Sequence, residues 1–518
     1  MDVGALIADG APEPRVRIRM PLRTLNRHGL VAGATGTGKT RTLRLLAEQL
    51  SETGVPVFIT DIKGDLTGLA QPGAGGEKLL ARTRALGQEW EPGAFPLELL
   101  ALGGRGEGVP VRTTITDFGP LLLARVLGLN ATQESSLALI FHWADSEGYA
   151  LMDMKDLRAV ISYLTSDEGK EELRAIGGIS TATAGVILRQ LAALEAQGGD
   201  VFFGEPAFDT HELMRLDGEG RGVITSLEVS ELSQQPALFS TFIMWLLADL
   251  FSSLPEVGDL NKPKLVFFFD EAHLLFTGAS KEFLRQVVQT VRLIRSKGVG
   301  VFFVTQNPKD VPDDVLAQLG NKVQHALRAH TPADADRLAQ AVKTYPRTDY
   351  DLAELLTSLG TGEAIVTVLD AKGVPTPVVP TRLWAPRAEM GPAAAEVVAR
   401  VRADSPLAAR YTEPVDDPNT AYEMLTERLE RERREAQEAE EAAVRAAELE
   451  KEIAALEKER AREEARQLKE AEARVARAER AREREEERAR TRRERHIDRV
   501  ISQVGREITR SIFGTRRR

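Results

Sequence analysis

Apolar residues in this chain gather into short unbroken runs, separated by stretches whose apolar positions recur at helical spacing. The runs fall at Leu30–Ala32, Val55–Thr60, Val111–Thr116, Gly222–Val229, Leu265–Phe269, Gly298–Thr305 and Val323–Leu327. Two of them, Leu265-Val266-Phe267-Phe268-Phe269 and Val299-Gly300-Val301-Phe302-Phe303-Val304, show no polar alternation, which predicts central strands covered on both faces. Strands alternating with helices in this way predict an α/β fold: a doubly wound, mainly parallel sheet with helices on both faces. Between about Pro120 and Leu216 the period changes, and Leu121–Leu129, Gln133–Asp145, Met154–Leu164 and Thr181–Gln197 each read as helix, so an all-α insertion in the sheet domain is expected.

A last strand pair, Glu363–Asp370 and Val374–Val379, precedes a Pro/Ala-rich stretch from Trp384 to Pro418 that reads as a linker. After Pro418 proline is absent, and Glu, Arg, Lys and Ala dominate. Thr420-x-x-Glu423 has the form of a capping box. An uninterrupted helix over about 80 residues from there would extend roughly 120 Å. Its apolar seam is thin: Leu449, Ile453 and Leu456 fit a heptad, but Arg460 and Glu463 take the next two seam positions. A solvated helix held by Glu–Arg pairs and an oligomerising coiled coil both remain open. Ile501, Val504, Ile508, Ile512 and Phe513, followed by Gly514 and Arg516-Arg517-Arg518, read as an amphipathic docking segment. The expected organisation is a lead-in at 1–28, two parts of one nucleotide-binding sheet domain at 29–119 and 217–383, the all-α insertion at 120–216, the linker at 384–418, a long charged helix at 419–500 and the docking segment at 501–518.

Composition narrows the classes. The chain has 518 residues, of which 42% are hydrophobic, and no cysteine, so disulfides and thiolate metal sites are excluded. The most apolar run, Phe242–Ala248, is cut by Asp249 well short of the roughly 20 residues a membrane span needs, and reads as a buried helix. No membrane association is expected, and a cytoplasmic location is. The formal charge is −10; residues 421–518 carry 27 Lys/Arg against 25 Asp/Glu, which leaves about −12 on the body. Any contact with nucleic acid is therefore expected to be local, since no global positive field draws it in.

The chemistry is concentrated in three places. Gly33-Ala34-Thr35-Gly36-Thr37-Gly38-Lys39-Thr40 is a complete phosphate-binding loop between a strand signal and a helix signal. Its glycines let consecutive N–H groups curl around phosphates at a helix N-terminus. Lys39 would reach the β/γ-phosphates and the Thr40 hydroxyl would ligate Mg²⁺, so ATP and Mg²⁺ are the expected substrate and cofactor. Asp270 and Glu271 follow the apolar run at Leu265–Phe269; Asp270 would hold the Mg²⁺ shell and Glu271 would orient and deprotonate the attacking water. Gln306, at the tip of the next run, is placed to sense the γ-phosphate or hold the lytic water, although a polar turn before Pro308 explains it too. His273 reads as a packed residue. Asp61, Lys63 and Asp65 follow a strand and could border the nucleotide, or serve only the turn. Phosphoryl transfer gains from a cation opposite the γ-phosphate, often from a neighbouring subunit. Arg328 is the first candidate, with Arg295 and Arg292 behind it; each also reads as an ordinary surface arginine.

With these pieces in order, the chain resembles the HerA/FtsK group of ring-forming motor ATPases, and within it the bacterial HerA-like P-loop family. Asn26-Arg27-His28-Gly29, Asp61-Ile62-Lys63-Gly64-Asp65, Phe203-Gly204-Glu205-Pro206 and Ser405-Pro406-Leu407 add to the likeness, which covers nearly the whole chain. The resemblance implies a RecA-like fold, self-assembly into a hexameric ring, ATP hydrolysis between subunits and helicase-like translocation on double-stranded DNA. By motif, it gives Lys39, Thr40, Asp270, Glu271 and Gln306 the roles above. Archaeal HerA carries a β-barrel ahead of its motor that helps engage a nuclease, whereas some 28 residues precede the loop here, so a nuclease-loading role is not expected to carry over. The competing reading, favoured by the acidic body and the Glu/Arg helix, is an ATP-switched scaffold or protein-remodelling ATPase whose tail recruits a protein partner. A small-molecule kinase ranks third, because no lid is identifiable.

Overall fold

The computed structural model describes residues 1–102, 106–229, 236–258, 260–277, 281–329, 331–370, 372–415 and 417–512, and within these leaves aside the side chains of 236, 237, 282 and 506–512. Met1–Thr426 form one compact unit and the chain from Glu427 onward a second. In the first, twelve strands make one sheet: β1 (Asp2–Ala8), β2 (Ala11–Arg19), β3 (Gly29–Ala32), β4 (Val57–Asp61), β5 (Leu97–Leu102), β6 (Val109–Val111), β7 (Ile224–Glu228), β8 (Leu265–Phe269), β9 (Val299–Thr305), β10 (Asn321–His325), β11 (Glu363–Thr367) and β12 (Val379–Leu383). Their order is β2-β1-β12-β11-β10-β3-β9-β8-β4-β7-β5-β6. Pairings from β10 through β6 are parallel, and those joining β10, β11, β12, β1 and β2 are antiparallel. The α/β sheet with helices is therefore as expected, with an antiparallel extension on one flank.

Both faces of the central strands are buried, and side-chain alternation sorts the phenylalanines between them. Phe268 and Phe302 meet at 5.2 Å on the face covered by helix Lys39–Glu52, whose Leu43, Leu46, Ala47 and Leu50 share that core. Phe58 and Phe267, 5.1 Å apart, lie on the opposite face, where Phe242 of helix Pro236–Ser253 approaches Phe58. The insertion folds as helices Ile115–Val126, Ala131–Ser146, Met154–Thr165, Lys170–Ala175, Thr181–Ala196 and Gly199–Phe202. Phe202 anchors it through Phe242 and Trp245 at 5.9 and 5.8 Å.

Four segments depart from the sequence reading. The first residues are not a bare lead-in, because β1 and β2 form a hairpin paired to β12; β2 is mostly exposed and alternates arginine with small or apolar residues, so it leaves no apolar run. The strand expected at Val111–Thr116 stops at Val111, since the Thr114 side chain accepts the Asp117 N–H and starts a helix. The strand expected at Val374–Val379 lies instead at Val379–Leu383, because Asp370 accepts the Lys372 and Val374 N–H groups and closes a turn first. Residues 384–418 are a packed strap more than a free linker. Gln88 exchanges two hydrogen bonds with Ala385, at 2.7 and 2.9 Å, the buried Glu48 accepts the Arg387 and Ala388 amides, and Tyr411 is fully buried.

Helix Ala421–Ile512 starts within the first unit, where the Tyr422 amide donates to Asp156 Oδ1 at 2.9 Å and the Thr420 hydroxyl meets the Glu423 carboxylate. Farther along, Leu449, Ile453, Leu456, Ile497, Val500, Ile501 and Val504 are exposed. Phe513 to Arg518 lie outside the described residues. No helix among the described residues is long and apolar enough to cross a membrane.

Truncating Phe268, 1% exposed at the centre of the sheet, should leave a cavity that cannot collapse. Phe268→Ala is expected to lower unfolding free energy by about 3–5 kcal/mol, read from the shift of the urea midpoint.

Candidate nucleotide site

The loop between β3 and helix Lys39–Glu52 is tied to the strands on either side. Gly33 N–H donates to Thr305 O at 3.2 Å and Ala34 N–H to Ala326 O at 2.9 Å. Thr37 closes the curl through its hydroxyl and amide, both onto Ala34 O, at 2.7 and 3.3 Å. Gly36 and Gly38 take φ of +79° and +117°, where a side chain would be strained. The amides of Thr35, Gly36, Gly38, Lys39 and Thr40 find no acceptor among the described residues. They form the cradle an anion requires at a helix N-terminus. Lys39 Nζ rests on the loop's own carbonyls, Gly33 O at 2.7 Å and Ala34 O at 3.3 Å. Burial lowers its pKa, while Glu271 and Asp270 act in the opposite sense, which places both acids within electrostatic reach of the ammonium.

Asp270 and Glu271 stand at the carboxyl end of β8, 6% and 8% exposed. Asp270 N–H donates to the Thr60 hydroxyl of β4 at 3.0 Å, and Glu271 N–H to Asp270 Oδ1 at 2.9 Å. Burial first, and Glu271 second, push the Asp270 carboxyl up to about 6. Glu271 adopts φ +47°, a left-handed conformation that a glutamate holds only where its surroundings impose it. Three groups surround its carboxylate, each at 3.4 Å: Lys63 Nζ on Oε1, with Gln306 Nε2 and His273 Nδ1 on Oε2. Gln306 also accepts the Thr35 hydroxyl at 3.4 Å, linking the acids to the phosphate loop.

Three residues add to the sequence reading. His273 is not simply packed, since its half-exposed ring lies beside Glu271. Lys63 belongs to the acid pair as well as to the turn; Asp61 builds that turn, accepting the Lys63, Gly64 and Leu66 amides. His325 was missed altogether. It supports the loop from below, with Nε2 2.9 Å from the Thr42 hydroxyl and Nδ1 3.0 Å from Glu363 O, and its Cβ would meet a Cβ built on Gly33 at 2.4 Å. Burial takes its pKa down to about 4, so it is neutral at pH 7. The only sequence signal was its position at the tip of a buried strand.

The arginines separate into two groups. Arg328 is exposed and lies just past Ala326, whose carbonyl holds the phosphate loop, so it shares that rim of the sheet. Arg292 and Arg295 precede β9 and stand at its amino end, away from the loop. The residues present fit a magnesium–triphosphate complex: free amides, an ammonium, the Thr40 hydroxyl and a buried carboxylate. No group of three or more His, Cys, Asp or Glu side chains that could hold a metal ion occurs among the described residues.

A family model described as helicase HerA-like C-terminal matches residues 7–518. The chain is 23% identical over 366 residues to the DNA double-strand break repair helicase HerA of Sulfolobus acidocaldarius, covering 68% of this chain and 64% of that protein. It is 22% identical over 412 residues to the protein of the same name from Pyrococcus furiosus, covering 71% and 67%. It thus spans just under two thirds of the Sulfolobus protein's length. The plasmid coupling protein TrwB in complex with ADP and Mg²⁺ is similar at a TM-score of 0.48 and 16% identity, over 75% of this chain and 91% of that one.

The raised Asp270 pKa has a definite sign. Its neutral form is favoured by the fold, so its contribution to stability is complete below about pH 3.8 and is lost as pH rises through about 6. Asp270→Asn is therefore expected to stabilise the nucleotide-free chain at pH 8 by roughly 2–3 kcal/mol, with no gain at pH 4, in denaturant titrations at the two pH values.

Proposed function

The chain belongs to the helicase HerA-like C-terminal family, and from that premise we propose that it is an ATP-hydrolysing motor of the HerA/FtsK type, translocating on double-stranded DNA as a ring of identical copies. One observation carries the reading: five free loop amides and Lys39 face a buried Asp270–Glu271 pair that Gln306 joins to the loop. In this reading the amides hold the phosphates, and Lys39 leaves its own carbonyls to bind them. Thr40 and Asp270 would hold Mg²⁺, which when bound neutralises phosphate charge. Glu271 takes the proton of the attacking water while Gln306 orients that water. Lys63 and His273 fix the direction of the Glu271 carboxylate, and Arg328 supplies a cation on the same rim.

A second reading is kept by one observation. Ile497, Val500, Ile501 and Val504 form an exposed stripe at helical spacing, 48% to 63% accessible, which suits a protein partner more than DNA. In that reading ATP switches a scaffold whose tail recruits a client.

Purified protein should hydrolyse ATP faster when duplex DNA is added. Lys39→Ala should reduce turnover by about 10²–10³-fold or more, and Glu271→Gln should retain ATP binding while losing hydrolysis. Turnover and mobility indifferent to every form of DNA would remove the translocase and leave the scaffold; a chain ending at Thr426 that keeps DNA binding but loses a protein partner would favour the scaffold directly.

A further inference from the structure

The first turn of helix Lys39–Glu52 carries charge of the wrong sign for an empty helix end. Lys39 and Arg41 stand in it, and no acid does. A helix N-terminus has partial positive charge, so a cation there is repelled unless an anion faces it. Lys39 is relieved by the carbonyls of Gly33 and Ala34. Arg41 has no such relief: it is exposed, and among the described residues its side chain makes no hydrogen bond or ion pair. One turn farther along stand Arg44 and Leu45, so no carboxylate occupies the positions that could pair with it on the helix.

The surroundings add positive charge. Arg82, on helix Glu77–Ala85, donates to Gly362 O at 3.2 Å and Leu383 O at 3.5 Å. Burial, then Arg382, lower its pKa, Glu363 opposes them, and Arg41 adds to the lowering, which places Arg41 within electrostatic reach of Arg82. Glu363, the acid beside them, is already engaged: Arg382 holds its Oε1 at 2.6 and 3.0 Å, and Gly360 N–H its Oε2 at 2.8 Å. Arg41 takes no part in that pairing. An anion at the outer side of the first turn would relieve it.

Helix geometry fixes what Arg41 faces. At about 100° per residue it lies opposite Leu43, Leu46, Ala47 and Leu50, which bury the helix against the sheet, and its side chain leans back over the first turn. A triphosphate in the loop has its γ-phosphate beside Glu271 and Gln306, at the sheet. The Thr37 side of the loop is closed, since Gly362 N–H donates to Thr37 O at 2.9 Å and a Cβ on Gly38 would lie 3.4 Å from Gly362 Cα. The outer side of the first turn is left for the α-phosphate. Building on the reading of this loop as a nucleotide site, we infer that the Arg41 guanidinium holds the α-phosphate and so fixes the nucleoside end of ATP and ADP alike. The contact is the same before and after the γ-phosphate leaves, so it strengthens binding without altering the chemical step.

The test titrates the full chain calorimetrically with ADP and with a non-hydrolysable ATP analogue in magnesium buffer. Arg41→Gln should weaken both by about tenfold, and in turnover the loss should fall on KM and not on kcat. Arg41→Lys, which keeps the charge without the planar fork, should recover part of the loss. Without the repelled cation, nucleotide-free Arg41→Gln should melt at or above the temperature of the unaltered chain, and ADP should raise that temperature by less. Affinity for both nucleotides unchanged by Arg41→Gln overturns the inference. Weakened binding of the ATP analogue with ADP unaffected also overturns it, since Arg41 then meets the γ-phosphate. If the unaltered chain takes up neither nucleotide, the nucleotide reading falls and this inference with it, a result distinct from uptake that Arg41→Gln leaves intact.

Discussion

Two carboxylates buried at the tip of one apolar strand set the terms for the rest of this molecule. Asp270 and Glu271 are almost out of water, and a pair of like charges there is costly unless cations face it. Lys39 lies within electrostatic reach from the phosphate loop and Lys63 pairs with Glu271 from the turn after β4, so cations on two different elements face the pair. That arrangement holds only while β3, β9, β8 and β4 keep their register, in which Ala32 lies opposite Thr305 and Thr60 opposite Phe269. The phenylalanine core beneath fixes the register; the charges above use it.

The same constraint accounts for the local strain. Glu271 turns left-handed immediately after the strand, which brings its carboxylate back toward Lys63, Gln306 and His273. Lys39, in turn, sits on the carbonyls of its own loop. Both lysines thus have partners that a bound triphosphate would compete for. Site residues of this kind are held in place by contacts that binding can exchange, at little cost in new order.

What the sequence disclosed followed from pattern length. The runs at Leu265–Phe269 and Gly298–Thr305 are apolar without interruption, and both are strands within one residue of their expected ends. The phosphate loop was legible because its glycines are required by backbone geometry that no other contact can supply. Strand β5 was not, because Glu98 breaks its apolar run and becomes intelligible only through distant partners, Arg215 at 2.7 Å and Ser405 at 2.6 Å. His325 escaped for the same reason, with partners 38 and 283 residues away; Lys63 was named, but its partner Glu271, 208 residues away, was not. Linear spacing carries strand and helix identity well, but carries little about which polar side chains the sheet order will bring together.

Sheet order also determines what a single copy can do. Parallel strands place all the nucleotide chemistry at their carboxyl ends, as in other open α/β sheets, and Arg328 shares that end. Arg292 and Arg295 stand at the amino ends. Their side chains cannot span a strand of seven residues to reach the same chain's phosphates.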